Sequence, residues 1–171
     1  MPSSRNITEL VIRPMRDEDL AMLEPWLAVP RVKRWFDDPD SLADLADHLT
    51  DPRVAQWIVE ENGTPVAYLQ DYDIDGWQNH PLGFLPSGAR GLDTFVFGED
   101  RMGRGLGLRY LTRHCHHLFA QGAPALGIDP HPENLAAIRC YEKVGFVRGA
   151  KAETDWGLVL TMALYPPKSL Q

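Results

Sequence analysis

The chain has 171 residues, 44% of them hydrophobic, which is enough to bury one substantial core, so residues 1–171 are predicted to form a single domain. Its formal net charge of −7 argues against a nucleic acid or an anionic membrane as partner and favours a cationic small molecule. No segment approaches the roughly 18 consecutive apolar residues of a membrane span, and residues 1–15 lack the pattern of a secretory signal. We therefore expect a soluble cytoplasmic protein that is a monomer or a weak homodimer.

The first half of the chain is predicted to mix strands and helices. In order, the segments are a strand over Thr8 to Met15, a helix over Asp17 to Leu27, a helix that begins at Ser41, and strands over Val54 to Glu60 and Thr64 to Asp71. Pro25 is expected to disturb or restart the first helix, and Asp44 occupies the capping-box position of the second. The pair Asn62-Gly63 between the two strands is typical of a tight hairpin turn.

The second half begins with the longest irregular segment of the chain. The order is this segment over Tyr72 to Ala89, a strand over Gly91 to Phe97, a helix over Leu108 to Gln121, a strand over Ala125 to Ile128, a helix from Glu133 or Asn134 that stops at Gly145, and hairpin strands over Phe146 to Lys151 and Leu158 to Tyr165. Irregular segments of this length are usually functional or disordered, and its aromatic residues favour function. Together the elements predict a mixed α/β fold without internal repeats.

A glycine-rich loop, Arg101-Met102-Gly103-Arg104-Gly105-Leu106-Gly107, lies between a predicted strand and a predicted helix. Alternate glycines leave backbone N–H groups accessible, and the helix directs its positive dipole end at the same place, so the loop is suited to a phosphate group. A simple tight turn is the alternative. The loop lacks the Gly-Lys-Ser/Thr ending of a P-loop and the spacing of a dinucleotide fingerprint, and both are rejected.

Two patterns suggest metal ligands, but neither is complete. The segment Asp71 to Gly76 matches the first half of a calcium-binding loop, yet Leu82 occupies the twelfth position, where a bidentate glutamate is needed. We interpret its acids as a wall that attracts cations or, alternatively, as a solvated loop. His114 and His117 lie three residues apart without a third ligand, so we expect partly exposed histidines. No metal site is predicted.

Two cysteines are expected to have a structural role, and one tryptophan has two possible roles. Cys115 and Cys140 fall in predicted helices and are expected to be small buried apolar residues rather than a disulfide. Trp35, in an expected loop, is either an anchor for helix packing or a platform for substrate.

The segment from Ile128 to Phe146 contains Asn-x-x-Ala-x-x-x-Tyr-Glu-Lys-x-Gly-Phe, and with the Gly-Arg-Gly-Leu-Gly loop and the order of elements it resembles the GNAT N-acetyltransferases. Within that superfamily the chain is similar to the aminoglycoside 6′-N-acetyltransferases. The resemblance is dense from Gly91 to Phe146 and thinner from Leu20 to Trp77. It implies a mixed, mostly antiparallel central sheet flanked by helices, with a splayed strand pair that holds the acyl-CoA.

The resemblance also implies a coenzyme A site. The residues assigned to it are Phe95, Val96, Met102, Gly103, Arg104, Gly105, Leu106, Gly107, Asn134 and Tyr141. The glycine-rich loop is expected to bind the pyrophosphate, with Arg101 or Arg104 compensating for Met102, which replaces the usual Gln or Arg. Phe95 and Val96 are expected to pair with the pantetheine arm and Asn134 to bond to it from the other side. Tyr141 is expected to protonate the leaving thiolate, with a place in the core as its alternative.

An acceptor site is implied in the same way. Its predicted residues are Trp35, Gln70, Tyr72, Asp75, Trp77, Asp93 and Asp129. A cationic sugar needs several carboxylates, and its attacking amine must lose a proton. Asp93 is the predicted base, directly or through a water.

The predicted function is therefore an acetyl-CoA-dependent N-acetyltransferase that acts directly, in a ternary complex, on a primary amine of a cationic amino sugar. Antibiotic resistance is the biological role suggested by the resemblance. One alternative keeps the chemistry and changes the acceptor to a hydroxylated amine, a polyamine or a protein N-terminus. Another is a non-enzymatic acyl-CoA-binding regulatory module.

Overall fold

A computed structural model describes residues 8–36, 41–101 and 103–168 of the chain. Its strands are β1 (Leu10–Pro14), β2 (Val54–Glu61), β3 (Thr64–Asp73), β4 (Arg90–Val96), β5 (Leu126–Ile128), β6 (Val147–Thr154) and β7 (Gly157–Leu164). Its α-helices are α1 (Leu20–Leu27), α2 (Pro30–Lys33), α3 (Ser41–His48), α4 (Leu106–Ala120) and α5 (Leu135–Val144). Within the described residues, no helix has the length and apolar character needed to cross a bilayer.

In the described part of the chain the strands form one sheet of seven, in the order β1-β2-β3-β4-β5-β7-β6. Only β4 and β5 are parallel neighbours, and the other described pairs are antiparallel. The predicted mixed, mostly antiparallel sheet is confirmed.

Local sequence signals explain most element boundaries. The β2–β3 turn uses Asn62 and Gly63 at φ of 50° and 79°, as a primed hairpin turn requires. Helix α4 begins two residues earlier than predicted because Gly105, at φ 72°, supports a left-handed N-cap. Pro25 neither ends nor restarts α1, which continues two residues beyond it. Pro25 lacks a backbone N–H, so it removes one hydrogen bond of the helix.

The two faces of the sheet are covered by different helices. Tyr68 of β3 and Phe95 of β4 belong to a buried cluster with residues of α1, α2 and α3. Leu69 of β3 belongs instead to the larger core, which includes residues of α4 and α5. Because side chains alternate along a strand, neighbouring residues of β3 point to opposite faces of the sheet.

Strands β4 and β5 separate after three paired residues. Their pairing runs from Arg90 opposite Leu126 to Leu92 opposite Ile128, where β5 ends. The rest of β4, residues 93–96, keeps its antiparallel pairing with β3 but has no partner in β5. This gap is the splayed strand pair that the resemblance implied.

Candidate active site

A cleft of about 740 Å³ opens at the gap between β4 and β5. Twelve of the predicted site residues line it, namely Trp35, Gln70, Asp93, Phe95, Val96, Gly103, Gly105, Leu106, Gly107, Asp129, Asn134 and Tyr141. Tyr72, Asp75, Trp77 and Arg104 do not line it. Met102 lies outside the described residues. Most predicted residues are thus brought together around one cavity, although they come from distant parts of the chain.

The glycines of the loop before α4 are needed for two different reasons. Gly103 and Gly105 both have φ of 72°, a backbone conformation that side chains disfavour. Gly107 has no such angle, but a Cβ there would lie 3.1 Å from Sγ of Cys140 on α5. The loop therefore combines an unusual backbone path with a close approach of α4 to α5.

The N-terminus of α4 faces this cleft. Its helical ladder begins where Arg109 N donates to Gly105 O at 3.1 Å, so the preceding amides of the first turn have no partner within the helix. Leu106, Gly107 and Leu108, which carry these amides, all line the cleft. Unpaired amides and a positive dipole end make an anion site.

Two of the arginines near the loop form ion pairs within the protein. Arg101 and Arg109 both bond to Glu61 of β2, with N–O distances of 3.3 and 3.2 Å. Arg104 is exposed and does not line the cleft. Of the two arginines predicted to compensate for Met102, Arg101 lines the cleft but is paired with Glu61, and Arg104 does not line it.

The free edge of β4 presents main-chain groups to the gap. Arg90 N donates to Ala125 O on the β5 side, and Phe97 N donates to Val66 O on the β3 side. Alternation along the strand then turns the N–H and C=O groups of Thr94 and Val96 toward the gap and those of Phe95 toward β3. Of the predicted pair, Val96 therefore presents its main-chain groups to the gap, as Thr94 does, whereas Phe95 presents its groups to β3.

Arg31 of α2, which sequence reasoning missed, reaches the same edge. Its Nη2 donates to Val96 O at 3.0 Å, while its Nε is buried without a hydrogen-bond partner among the described residues. Nothing in the sequence around Arg31 marks it, because the contact spans 65 positions of the chain.

The first turn of α5 and its interior provide two polar groups. Asn134 caps the helix, because its Oδ1 accepts from Ala137 N at 3.3 Å. Tyr141 is only 7% exposed, and burial raises the pKa of its phenol well above the usual value. Its hydroxyl is therefore protonated at neutral pH.

Asp93 ends a chain of hydrogen bonds that starts at Gln56 of β2. Gln56 Nε2 donates to Tyr68 Oη at 3.0 Å, Tyr68 Oη donates to Gln70 Oε1 at 2.7 Å, and Gln70 Nε2 donates to Asp93 Oδ2 at 2.8 Å. The order of donors fixes the orientation of the Gln70 amide. Tyr68 was not predicted as a site residue, since its role depends on this tertiary chain.

Asp129 directly follows β5 and shares the cleft with Asp93. Burial raises the pKa of Asp129 to about 8, and the negative charge of Asp93 contributes to the shift. Burial likewise raises the pKa of Asp93, against the lowering effect of its hydrogen bond from Gln70. Two carboxyl groups that resist ionising together are well suited to a cationic ligand, which stabilises both charges.

Comparison with known proteins agrees with this geometry. The family described as acetyltransferase (GNAT) domain matches residues 16–154. The chain belongs to the GNAT acetyltransferases. An aminoglycoside N(6')-acetyltransferase type 1 of Klebsiella pneumoniae is 32% identical over 166 residues, which cover 90% of this chain and 81% of the relative.

Solved structures support the same assignment. The aminoglycoside acetyltransferase AAC(6')-Ib in complex with coenzyme A has a TM-score of 0.82 and 30% identity, covering 95% of this chain and 96% of that one. The same enzyme with coenzyme A and kanamycin has a TM-score of 0.82 and 31% identity, with the same coverage. An uncharacterised Bacillus halodurans protein at 19% identity has a TM-score of 0.84 over 92% of this chain and 84% of its own, which shows the fold alone.

In this GNAT enzyme the irregular segment after β3 is held by internal contacts. Asp75 accepts hydrogen bonds from Ser87 Oγ at 2.7 Å and from Gly88 N at 3.0 Å. Tyr72 is 6% exposed and packs so closely over Gly91 that a Cβ there would lie 2.2 Å from its ring. Asp75 therefore stabilises the segment and Tyr72 the packing of β3 on β4, and neither side chain lines the cleft.

Trp77 lies behind the cleft rather than on it. The guanidinium of Arg53 lies 4.2 Å from its ring centroid, and His48 of α3 packs edge-on at 6.1 Å. His48 itself lines the cleft, and its Nδ1 is buried without a partner among the described residues. His48 is thus a cleft residue that sequence reasoning did not single out.

The expectation of partly exposed helix histidines is wrong for His114, which is 2% exposed. Its Nε2 lies 2.8 Å from Oδ2 of Asp71, a carboxylate that also accepts from Trp57 Nε1 at 2.8 Å and from both Arg90 Nε and Nη2. Asp71 points to the α4 face, away from the active-site cleft. This network is structural, and the spacing of histidines on α4 carried no sign of it.

The two cysteines behave largely as predicted. Cys115 is 1% exposed in the core, and burial raises its pKa to about 12. Cys140 is half-buried beside Gly107, and burial raises its pKa as well. Neither thiol is poised to become a thiolate nucleophile at neutral pH.

Proposed function

We propose that the protein transfers the acetyl group of acetyl-CoA to the 6′-amine of an aminoglycoside. The observation that carries this proposal is the pair Asp93 and Asp129, two partly buried carboxyl groups with raised pKa values beside the split strands. A polycationic sugar is the ligand that relieves their repulsion. The relatives named above act on, or are bound to, molecules of this class.

The coenzyme fits the opposite part of the cleft. The unpaired amides at the start of α4 suit its pyrophosphate, and the free edge of β4 at Thr94 and Val96 suits its amide-bearing arm. The side chain of Asn134 lies across the gap on α5, with its Oδ1 already used in the helix cap, so its Nδ2 is the group available as a donor.

The reaction follows from this placement. Acetyl-CoA supplies the acetyl group as a thioester, and the acceptor nitrogen forms a C–N bond as the C–S bond breaks. Asp93 receives the proton that the ammonium group must lose, directly or through a water, and Gln70 holds the carboxylate in place. Tyr141 donates its proton to the leaving sulfur. Asp129 stabilises a second positive charge of the acceptor.

Transfer is direct, in a ternary complex. A covalent acetyl-cysteine needs a thiolate, and burial raises the pKa of both Cys115 and Cys140. Since acetyl-CoA is supplied inside the cell, we place the activity in the cytoplasm.

The test is release of free thiol from acetyl-CoA, measured against a panel of amines at equal concentration. We expect kanamycin and ribostamycin to give the highest kcat/KM, and mass spectrometry to locate the added acetyl group on the 6′-nitrogen. A higher kcat/KM for a polyamine, a hydroxylated amine or a peptide N-terminus would replace the aminoglycoside as acceptor while retaining the enzyme class. Absence of thiol release with every amine would overturn the proposal.

A further inference from the structure

The turn between β6 and β7 carries an exposed tryptophan into the active-site cleft. Trp156 is 61% exposed and is one of the residues that line the cleft. The turn is ordered by its own hydrogen bonds, since Thr154 Oγ1 donates to Gly157 O at 2.6 Å and accepts from Trp156 N at 3.3 Å. A large apolar side chain held in this way, yet left open to solvent, is unusual for a structural residue.

The neighbour of Trp156 is a neutral histidine. The ring centroids of Trp156 and His80 are 5.9 Å apart. Leu82 N donates to His80 Nδ1 at 3.1 Å, so this nitrogen carries no proton, and His80 Nε2 lies 3.1 Å from Tyr72 Oη. Burial lowers the pKa of His80. The indole is therefore supported by a ring that does not repel a cationic acceptor.

The exposed fractions of the lining side chains distinguish the mouth of the cleft from its interior. Tyr141, the proposed proton donor, is 7% exposed, whereas Trp156 is 61% exposed. A group bound against Trp156 therefore lies nearer to solvent than the amine that reacts. The face of an indole attracts both cations and the C–H groups of a sugar ring.

We propose that Trp156 is a specificity residue for the acceptor, which binds an aminoglycoside ring other than the one that is acetylated. This inference rests on the proposed function and extends it to acceptors of more than one ring. Because the contact lies away from the reacting atoms and persists through the reaction, it contributes to KM for the acceptor and not to kcat.

The experiment compares W156A, W156Q and W156F with the wild-type enzyme on two acceptors. One is kanamycin, which has several rings, and the other is a single-ring 6-amino-6-deoxyglucoside. For W156A and W156Q we expect KM for kanamycin to rise about fivefold to tenfold, while KM for the single-ring amine, KM for acetyl-CoA and kcat change less than twofold. W156F is expected to retain most of the affinity for kanamycin, since it keeps an aromatic face.

The matched control is Tyr165→Ala, which removes another exposed aromatic ring, 54% exposed, that does not line the cleft. We expect Y165A to leave both KM values unchanged. Calorimetric titration of kanamycin into the enzyme without acetyl-CoA gives a readout independent of turnover, and the same fivefold to tenfold loss is expected there for W156A.

Each other outcome overturns the inference. If W156A and W156Q bind kanamycin as the wild type does, Trp156 makes no contact with the acceptor, although the proposed function stands. An equal rise in KM for both amines places Trp156 against the reacting ring. If the wild type acetylates no aminoglycoside, the proposed function fails first, as seen from the wild type alone, and the inference fails with it.

Discussion

Two aspartates on neighbouring strands, Asp71 of β3 and Asp93 of β4, differ in their hydrogen-bond partners and in the direction of their pKa shifts. Asp71 faces α4, is 2% exposed and accepts hydrogen bonds from Trp57, Arg90 and His114. Asp93 faces the cleft and accepts from Gln70. Although burial raises the pKa of a carboxyl, the bonds from His114 and Arg90 outweigh it for Asp71, whose pKa is lowered, whereas the pKa of Asp93 is raised.

The difference shows how burial alone does not define a functional carboxylate. Asp71 has cationic and neutral donors that satisfy both oxygens, so it holds the sheet to α4 and has no capacity left for a ligand. Asp93 accepts from one neutral donor, the amide of Gln70, and shares the cleft with a second carboxyl group, Asp129. A cationic ligand would therefore supply the positive charge that these two carboxyl groups need.

The largest expected effect is on stability, in Asp71→Asn. The substitution leaves Arg90 without its counter-charge and weakens the hydrogen bond to His114, and we expect the free energy of unfolding in urea at pH 7 to fall by about 3 kcal/mol. The lowered pKa of Asp71 means that its contribution is present above the usual carboxyl value of 3.8 and is lost as the pH falls below it. The gap between wild type and variant should therefore close in acid.

Asp93→Asn is the matched change on the other face, and its expected effect is on turnover. We expect kcat to fall about a hundredfold with little change in KM for acetyl-CoA, because the base is removed and the coenzyme contacts remain. The rise of kcat/KM with pH that reflects ionisation of Asp93 should disappear. A loss of stability as large as that of Asp71→Asn would contradict the distinction between the two aspartates.

Asp129→Asn is expected to raise KM for aminoglycosides about tenfold, with little change in kcat and a weaker dependence on salt. Its effect on stability should be opposite in sign to that of Asp71→Asn. The pKa of about 8 in the folded protein exceeds the usual 3.8, so the wild-type carboxyl loses stability as the pH rises between these values. Urea unfolding at pH 8 should therefore find the variant more stable than the wild type, and the difference should vanish near pH 4.

The smallest expected effect is that of Tyr68→Phe, which tests the hydrogen-bond chain behind Asp93. Loss of the hydroxyl frees Gln70 from its fixed orientation, and we expect kcat to fall about threefold. The bond from Gln70 lowers the pKa of Asp93, so weakening it should move the ionisation of Asp93 in the pH profile to higher pH. A reduced rate with an unmoved profile would mean that Tyr68 only supports the fold.

Local patterns in the sequence determined the element order, the phosphate-binding loop and the family. The turn at Asn62-Gly63, the helix start at Gly105 and the motif from Asn134 to Phe146 depend on neighbours within a few positions, and such signals are legible in one chain. Through the family resemblance that these signals carry, Asp93, Asp129 and Tyr141 were expected to share a site with the loop, and all three line the cleft.

Only the tertiary structure decided which polar residues are free to act. Asp71, Asp75 and Asp93 look alike as letters in the chain, but their partners lie far along it: His114 is 43 positions from Asp71, Ser87 is 12 from Asp75, and Gln70 is 23 from Asp93. The same holds for Trp156, whose place in the cleft follows from the pairing of β7 with β5. Whether a carboxylate has hydrogen-bond partners, or an aromatic ring is exposed to solvent, depends on contacts that form only when the sheet and its helices assemble.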